Sequence, residues 1–215
     1  MDIASMIDHT LLKADATEDM IKKLCYEAIE NGFAAVCVNP YYVSMAKKLL
    51  KGSKVSVDTV IGFPLGSNTK EIKVFEAKEA VKNGADEIDM VINIGALRDK
   101  KYEIVRKDIE GVVKESGDNI IIKTIIETGL LTDEEKIIAC KIARDAKVDF
   151  VKTSTGFGRG GATIEDIRLM NSIIGQDIKI KASGGIRDYR TAKAMIDAGA
   201  SRIGTSASVS IIKNK

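Results

Sequence analysis

Eight short runs of β-branched and other apolar residues alternate with eight longer segments of helical periodicity along this chain of 215 residues. Such runs are typical of strands in a sheet that is covered on both faces, and amphipathic segments are typical of the helices that cover it. The runs lie at 7–12, 34–38, 55–61, 87–93, 120–126, 149–154, 178–182 and 201–205. The helical segments lie at 17–31, 41–51, 69–83, 98–116, 133–146, 164–174, 189–198 and 206–213. The alternation predicts an α/β protein with a parallel sheet and right-handed crossovers.

An open, doubly wound sheet and a closed (β/α)8 barrel both fit this alternation. The count of eight strands favours the closed barrel, the TIM barrel fold. No shift in composition along the chain marks a second domain. Residues 1–215 are therefore expected to form a single barrel domain with few insertions.

Residues that cap helices agree with these boundaries. Three pairs have capping-box spacing before a helical segment, namely Thr132 with Glu135, Thr163 with Asp166 and, more weakly, Asn68 with Glu71. Glycines stand where helices need a left-handed residue at the C-terminus, namely Gly32, Gly52, Gly84, Gly117, Gly175 and Gly199. Both signals predict compact connections between helices and strands.

The charge balance and hydropathy argue against two classes of partner. Lys and Arg total 33 against 31 Asp and Glu, a formal net charge of +2. A protein that binds nucleic acid without sequence preference needs a larger basic excess, so no nucleic-acid partner is expected. The longest uninterrupted apolar run, 33–38, is far too short to span a bilayer, so no membrane partner is expected.

The N-terminal segment and the cysteines predict a cytoplasmic protein. Residues 1–10 contain two aspartates and no basic region of the signal-peptide type. Cys25, Cys37 and Cys140 are odd in number and lack metal-type spacing, so they are expected to be reduced thiols. The single histidine, His9, nearly excludes a metal centre or a triad built on several histidines. Metal sites built from carboxylates alone stay open.

Two lysines and an acid stand inside predicted strands near the ends where a barrel carries its active site. Lys152 lies in the sixth run, Lys181 in the seventh and Asp89 in the fourth. Burial penalises an ammonium group, and two cations that face one interior repel, so at least one amine should have a depressed pKa. A neutral amine beside a cation is the arrangement that Schiff-base catalysis needs, and Asp89 could relay protons.

The alternative is that these lysines face the helices and extend to solvent, with Asp89 paired to one of them. The period-2 pattern of a strand is easily misjudged by one residue, which would reverse the face. Two lysines and an acid at three such strand ends nevertheless favour the interior.

Glycines and hydroxyl residues follow the last three predicted strands. The sequences are STG at 154–156, SGG at 183–185 and GTS at 204–206, with Arg187 just beyond the second. Glycines let backbone N–H groups converge on an anion, and loops after the last strands of a barrel often bind phosphate. The alternative is ordinary turn chemistry, which uses the same residues.

Other candidates are weaker. Cys37 is expected to be a small core residue and His9 a structural one, whereas Asp8 could join the polar floor of the site. Four aromatic residues are expected to pack rather than to stack on bases, namely Tyr41, Tyr42, Phe63 and Phe157.

Three motifs closely resemble those of the deoxyribose-phosphate aldolase family: EIDMVIN at 87–93, DFVKTSTG at 149–156 and IKASGGI at 180–186. Further matches are DHTLL at 8–12, VCVNP at 36–40, VIGFPLG at 60–66 and RIGTS at 202–206. The resemblance covers essentially the whole chain. It implies a TIM-barrel class I aldolase that reversibly cleaves 2-deoxy-D-ribose 5-phosphate to acetaldehyde and D-glyceraldehyde 3-phosphate, as in deoxyribonucleoside catabolism.

The resemblance also implies residue roles, which the sequence pattern alone left open between the two lysines. Lys152 would form the Schiff base, while Lys181 would stay protonated, activate Lys152 and take part in proton transfer. Asp89 would donate and accept protons, with Asp8 as a lesser member of the relay. Phosphate would bind at Gly156, Gly184, Gly185, Gly204 and Ser206, with Arg187 nearby.

Three positions depart from common family patterns. Phe157 replaces a lysine that some relatives have after the strand-six glycine, so phosphate would have fewer charge contacts. The last loop continues to Ser208 rather than ending in glycine, and the chain ends IIKNK without a tyrosine.

The expected partner is a small phosphosugar, with no cofactor and no metal. A homo-oligomer, a dimer or a tetramer, is left open. Two rival functions remain at this point. A phosphosugar isomerase or epimerase could use Asp89 as a base, but it would leave both lysines without a role. A barrel that only binds a phosphorylated metabolite would not need the Asp-Lys-Lys set.

Overall fold

The computed structural model describes residues 2–175 and 178–214. Eight parallel strands close into a barrel in sequence order. They are β1 (Ile7–Leu11), β2 (Ala35–Val38), β3 (Ser56–Ile61), β4 (Glu87–Val91), β5 (Ile121–Ile125), β6 (Phe150–Lys152), β7 (Lys179–Ser183) and β8 (Arg202–Thr205). The first and last strands, β1 and β8, pair and close the barrel, with Asp8 opposite Gly204. The (β/α)8 barrel predicted from the alternation is confirmed, and the open sheet is not formed.

Nine α-helices within the described residues surround the barrel. They are α1 (Glu18–Asn31), α2 (Val43–Leu49), α3 (Lys70–Lys82), α4 (Ile94–Arg98), α5 (Tyr102–Ser116), α6 (Asp133–Asp145), α7 (Ile164–Ile174), α8 (Tyr189–Asp197) and α9 (Ser208–Lys213). The segment predicted as one helix at 98–116 instead begins at Tyr102, behind the separate short helix α4. Lys100 has φ 60° between them, and this left-handed residue interrupts the helical path. Each helix of the described chain is too short or too polar to cross a lipid bilayer.

Helix capping follows the sequence at Thr132, Thr163 and Gly32, and departs from it at Asn68. Thr132 and Glu135 form the complete capping box at the start of α6, and Thr163 accepts a hydrogen bond from Asp166 N–H at the start of α7. Gly32 ends α1 in the left-handed conformation. The predicted cap at Asn68 is wrong, because α3 follows Thr69 in an extended conformation without a side-chain cap bond.

Apolar residues fill the layer between strands and helices, whereas the barrel interior carries charge. Val36, Ile88 and Val151 belong to a continuous apolar core with the inward faces of the helices. The side chains of Lys123, Lys152 and Lys181 are buried together with those of several acids. Charged side chains are rarely buried unless they are paired, so this interior is the first place to look for function.

Candidate active site

A cavity of about 350 Å³ opens at the carboxyl ends of the strands, and Lys152 lies in its wall. Most of its other lining residues come from the loops after β1, β6, β7 and β8. They include Thr10, Leu12, Lys13, Thr155, Gly156, Phe157, Ser183, Gly184, Gly185, Arg187, Gly204 and Ser206. This is the end at which barrel enzymes place their catalytic groups.

A larger groove, about 670 Å³, lies at the opposite end of the barrel between the ends of α2 and α3. Its lining includes Lys47, Lys51 and Lys82. These lysines stand near the C-termini of the two helices, where positive charge offsets the helix dipoles. Because Lys152 and the glycine loops border the smaller cavity, we place the site there.

Lys152 and Lys181 face each other across neighbouring strands, as the sequence predicts. They are register partners at the end of β6 and within β7, and both side chains are buried. One oxygen of Asp89, Oδ2, accepts hydrogen bonds from both ammonium groups, at 2.6 Å from Lys152 Nζ and 2.7 Å from Lys181 Nζ. The alternative in which these lysines turn outward to solvent is therefore wrong.

Lys181 is held by three carboxylates. Besides Asp89, its Nζ lies 2.6 Å from Asp8 Oδ2 and 2.9 Å from Asp58 Oδ2. Burial would lower the pKa of Lys181, but these carboxylates outweigh burial and raise its pKa well above the ordinary range. Lys181 therefore rests as a cation beside Lys152.

Asp89 and Asp8 rest as carboxylates. Burial would raise the pKa of Asp89, but the ammonium groups of Lys123, Lys152 and Lys181 hold it well below its usual range. Burial likewise opposes the ionisation of Asp8, yet Lys181 and Arg202 lower its pKa to about 2. Asp8 Oδ1 lies 2.6 Å from Arg202 Nη1, so Asp8 is paired with β8 inside the barrel.

Four further charged residues belong to this interior cluster and were not singled out from the sequence: Asp58, Glu87, Lys123 and Arg202. Lys123 Nζ lies 2.6 Å from Glu87 Oε2, 2.9 Å from Asp89 Oδ1 and 3.0 Å from Asp58 Oδ1. A usable signal was present, because Glu87 precedes Asp89 by two residues and shares its face of the strand. Lys123 likewise stands opposite Asp89 in the register of β5.

Carboxylate oxygens of Asp8, Asp58 and Glu87 lie within 4.8 Å of one another, as do those of Asp58 and Asp89 with the Cys37 sulfur. Such groupings can hold a cation. Here the ammonium groups of Lys123 and Lys181 contact these carboxylates and supply positive charge.

The loops expected to bind phosphate meet at one side of the cavity. The loop after β6 packs tightly against the loop after β7, where Ala162 N–H donates to the carbonyls of Ser183 and Gly184. A Cβ at Gly161 would lie 2.4 Å from the Gly184 oxygen, so this contact requires glycine. Gly184 and Gly185 have φ of 87° and 78°, which also favours glycine.

Gly204 has a second role that the sequence did not indicate. A Cβ at this position would lie 3.1 Å from Lys181 Cε. This glycine therefore makes room for the Lys181 side chain, besides lining the cavity.

Glu127, another residue missed in the sequence, fixes the loop after β6. Its carboxylate accepts hydrogen bonds from both the N–H and the hydroxyl of Thr155. Thr155 Oγ1 in turn accepts from Phe157 N–H at 3.1 Å. Glu127 has φ 54°, an unusual conformation for this residue type, and it is almost fully buried.

The weaker candidates have structural surroundings. Cys37 is buried with Leu12 and Val60, and burial raises the pKa of its thiol well above the ordinary value. His9 Nε2 contacts Glu27 at 2.9 Å, on the outer side of β1. Burial lowers the pKa of His9. Ser208 is buried at the start of α9, where its hydroxyl donates to the Thr205 carbonyl.

The prediction that all four aromatic residues are packed is wrong for Tyr41 and Phe157, which are 82% and 57% exposed. Phe157 lies at the cavity mouth, and its ring contacts that of Phe63 edge to face at 5.4 Å. The loop after β6 carries Phe157 away from the core, so the residue type alone did not reveal its place.

Comparison with known proteins places this geometry in one family. Residues 3–211 match the DeoC/LacD family aldolase. A deoxyribose-phosphate aldolase of Clostridium tetani is 59% identical over 99% of both chains. One of Staphylococcus carnosus is 62% identical over 99% of this chain and 96% of that protein.

A solved structure agrees at the level of the fold. The tetrameric deoxyribose phosphate aldolase from Aeropyrum pernix superposes with a TM-score of 0.92 at 34% identity. The match covers 98% of this chain and 89% of that one.

Proposed function

Because this chain belongs to the DeoC/LacD family of aldolases, we propose that Lys152 is the amine that forms the Schiff base of its reaction. The enzyme is a class I aldolase. It reversibly cleaves 2-deoxy-D-ribose 5-phosphate to acetaldehyde and D-glyceraldehyde 3-phosphate in deoxyribonucleoside catabolism. The observation that carries the assignment is that Lys152 borders the substrate cavity, whereas the ammonium group of Lys181 is enclosed by Asp8, Asp58 and Asp89.

The chemistry follows from the imine. The Lys152 amine attacks the aldehyde carbon, water leaves, and the protonated imine then accepts the electron pair released when the C2–C3 bond breaks. A base must first remove the proton of the C3 hydroxyl, and an acid must later protonate the enamine carbon. Asp89 lies against Lys152 and is supported by Lys181, so this pair is placed to move both protons, through a water molecule where the distance requires one.

Replacement of Lys152 tests the assignment directly. We expect Lys152→Ala to abolish turnover, and to abolish the mass increase seen when borohydride is added with 2-deoxy-D-ribose 5-phosphate. Lys179→Ala is the matched control, because Lys179 is an exposed lysine at the start of β7. It should retain turnover and the adduct. A reduced adduct on Lys181, located by peptide mass spectrometry, would reverse the assignment of the two lysines.

We further propose that the substrate phosphate binds between the loops after β6, β7 and β8. Gly156, Gly184, Gly185, Gly204 and Ser206 would supply backbone or hydroxyl donors, and Arg187 a positive charge. These residues border one side of the same cavity as Lys152, which supports a substrate that spans from the amine to the loops. Phe157, at the cavity mouth, carries no charge, so Arg187 would supply the main charged contact from these loops.

Arg187→Ala tests the phosphate site. A charge-assisted hydrogen bond is worth about 1.5–3 kcal/mol, so KM for 2-deoxy-D-ribose 5-phosphate should rise by about 10- to 100-fold. KM for unphosphorylated 2-deoxy-D-ribose should hardly change. Arg190→Ala removes an exposed arginine from the adjoining helix and should affect neither. Equal losses for both sugars after Arg187→Ala would place the phosphate elsewhere.

Three properties of the whole protein are also proposed. Residues 1–215 form one domain, since the strands that close the barrel come from both ends of the chain. The protein is cytoplasmic, which its three free and buried cysteines support. It assembles as a homo-oligomer, and exposed Ile72, Phe75 and Ile104 on the neighbouring helices α3 and α5 offer apolar surface for this. Light scattering on the whole enzyme measures its molar mass in solution, which gives the number of subunits.

A further inference from the structure

Asp58 is a fully buried acid for which the proposed reaction has no task. It lies in β3, the strand between those that carry Cys37 and Glu87, and points into the charged interior. Its Oδ2 accepts a hydrogen bond from Lys181 Nζ at 2.9 Å, and its Oδ1 lies 3.0 Å from Lys123 Nζ. It does not line the cavity, so it acts on the reaction only through other residues.

The interior cluster is electrically balanced only while Lys152 carries its proton. Within the described chain, the contacts join four acids, Asp8, Asp58, Glu87 and Asp89, to four bases, Lys123, Lys152, Lys181 and Arg202. The nucleophile must be a neutral amine. If the Lys152 proton left for solvent, one negative charge would stay unpaired in a buried interior, which is costly.

A continuous chain of hydrogen bonds leads from the nucleophile to Asp58. Lys152 Nζ donates to Asp89 Oδ2 at 2.6 Å, the same oxygen accepts from Lys181 Nζ at 2.7 Å, and Lys181 Nζ donates to Asp58 Oδ2 at 2.9 Å. Each step lies within ordinary hydrogen-bond distance. A proton can therefore move along this chain without entering solvent.

We propose that Asp58 stores the proton that Lys152 gives up, so that the free enzyme holds a neutral amine and a neutral acid. In the transfer, the Lys152 N–H bond breaks as an Asp89 O–H bond forms. Asp89 then passes a proton to Lys181 as Lys181 gives one to Asp58. Lys181 ends as an ammonium and Asp89 as a carboxylate. When the imine forms, the proton returns by the same route and leaves with the hydroxyl group as water, which restores the Asp58 carboxylate.

Asp58 suits this task better than the neighbouring acids. The charged or titratable groups around it are Asp8 from β1, Cys37 from β2, Glu87 and Asp89 from β4, Lys123 from β5, Lys181 from β7 and Arg202 from β8. Burial and the Asp89 charge raise the pKa of Asp58 to about 6 against the pull of Lys123 and Lys181. Loss of the Lys152 charge raises it further. The pKa values of Asp8 and Asp89 are instead lowered.

Infrared difference spectroscopy tests the proposal, which rests on Lys152 as the nucleophile. The free enzyme is compared at neutral pH with the enzyme reduced by borohydride in the presence of 2-deoxy-D-ribose 5-phosphate. The reduced adduct is a secondary amine that takes a proton. We expect the carbonyl band of one protonated carboxyl group to disappear for each adduct formed. Asp58→Asn should lack this band in the free enzyme. Asp108→Asn, which removes a buried acid outside the cluster, should keep it.

The outcomes separate the two proposals. An adduct on Lys152 without loss of a carboxyl band overturns the storage role alone, as does a band that persists in Asp58→Asn. An adduct on another residue overturns the assignment of Lys152 instead. If Asp58→Asn fails to fold, Asp58→Glu keeps the carboxyl group, and the band should remain with a shifted frequency. A band unmoved by Asp58→Glu would belong to another acid and overturn the proposal.

Discussion

Lys152 and Lys181 differ in the number of carboxylates that hold their protons. Among residues 2–175 and 178–214, Lys181 Nζ has three carboxylate partners, and Lys152 Nζ has one, Asp89. Fewer contacts are therefore lost when Lys152 becomes neutral. Simple repulsion between two cations is not what distinguishes them, because Asp89 Oδ2 lies between the two ammonium groups. No local pattern in the sequence reports this difference, because it depends on Asp8 and Asp58 in other strands.

Asp89→Asn should separate imine formation from bond cleavage. The amide has the size of the carboxylate but cannot take up a proton, so the C3 hydroxyl loses its base. We expect the cleavage rate to fall by about 10²- to 10⁴-fold, the usual contribution of general acid–base catalysis. On long incubation, borohydride should still trap substrate on Lys152. A variant that keeps its cleavage rate would show that another group moves these protons.

At the scale of strands and loops, side-chain hydrogen bonds decide where the sheet ends. The sixth run predicted a strand through residue 154, whereas β6 ends at Lys152. Thr153 Oγ1 donates to the Ser183 carbonyl and accepts from Ser183 N–H. This side chain takes over the bonds that a further ladder pair would make, so the backbone leaves the sheet. The same turn brings Thr155 to Glu127 and Gly156 to the cavity.

Local patterns predicted the elements well, and pairwise contacts across the barrel much less well. Strand and helix order, the capping box at Thr132 and the inward face of Lys152 depend on residues close in sequence. The role of Glu127 depends on Thr155, which is 28 residues away. The partner of Gly204 is the Lys181 side chain. No periodicity in the sequence reports such pairs, because they form only when the barrel closes.

For the whole molecule, the charged interior joins the first and last strands of the barrel. Asp8 in β1 contacts Arg202 in β8 and Lys181 in β7, across the seam where the first and last strands pair. Arg202 also lies 3.2 Å from Glu87 in β4. Removal of one member of a buried ion pair leaves the other charge without a partner, so this network couples closure of the barrel to assembly of the site.

Asp8→Asn should reveal this coupling as a change in the pH dependence of stability. Asp8 has a folded pKa of about 2 against its ordinary value of 3.8. Its contribution is therefore complete above the ordinary value and is lost as pH falls through the folded pKa. The difference corresponds to about 2–3 kcal/mol. We expect Asp8→Asn to lower the free energy of unfolding by that order at neutral pH. The deficit should shrink as pH falls from about 4 to about 2, because the wild-type carboxyl then becomes protonated.

Urea unfolding of wild type and Asp8→Asn at a series of pH values measures this deficit in the free energy of unfolding. Asp188→Asn, at an exposed helix cap, controls for the loss of an acid outside the barrel. A deficit that stays constant down to the lowest pH would show that the Asp8 side chain stabilises closure by packing and not by its charge.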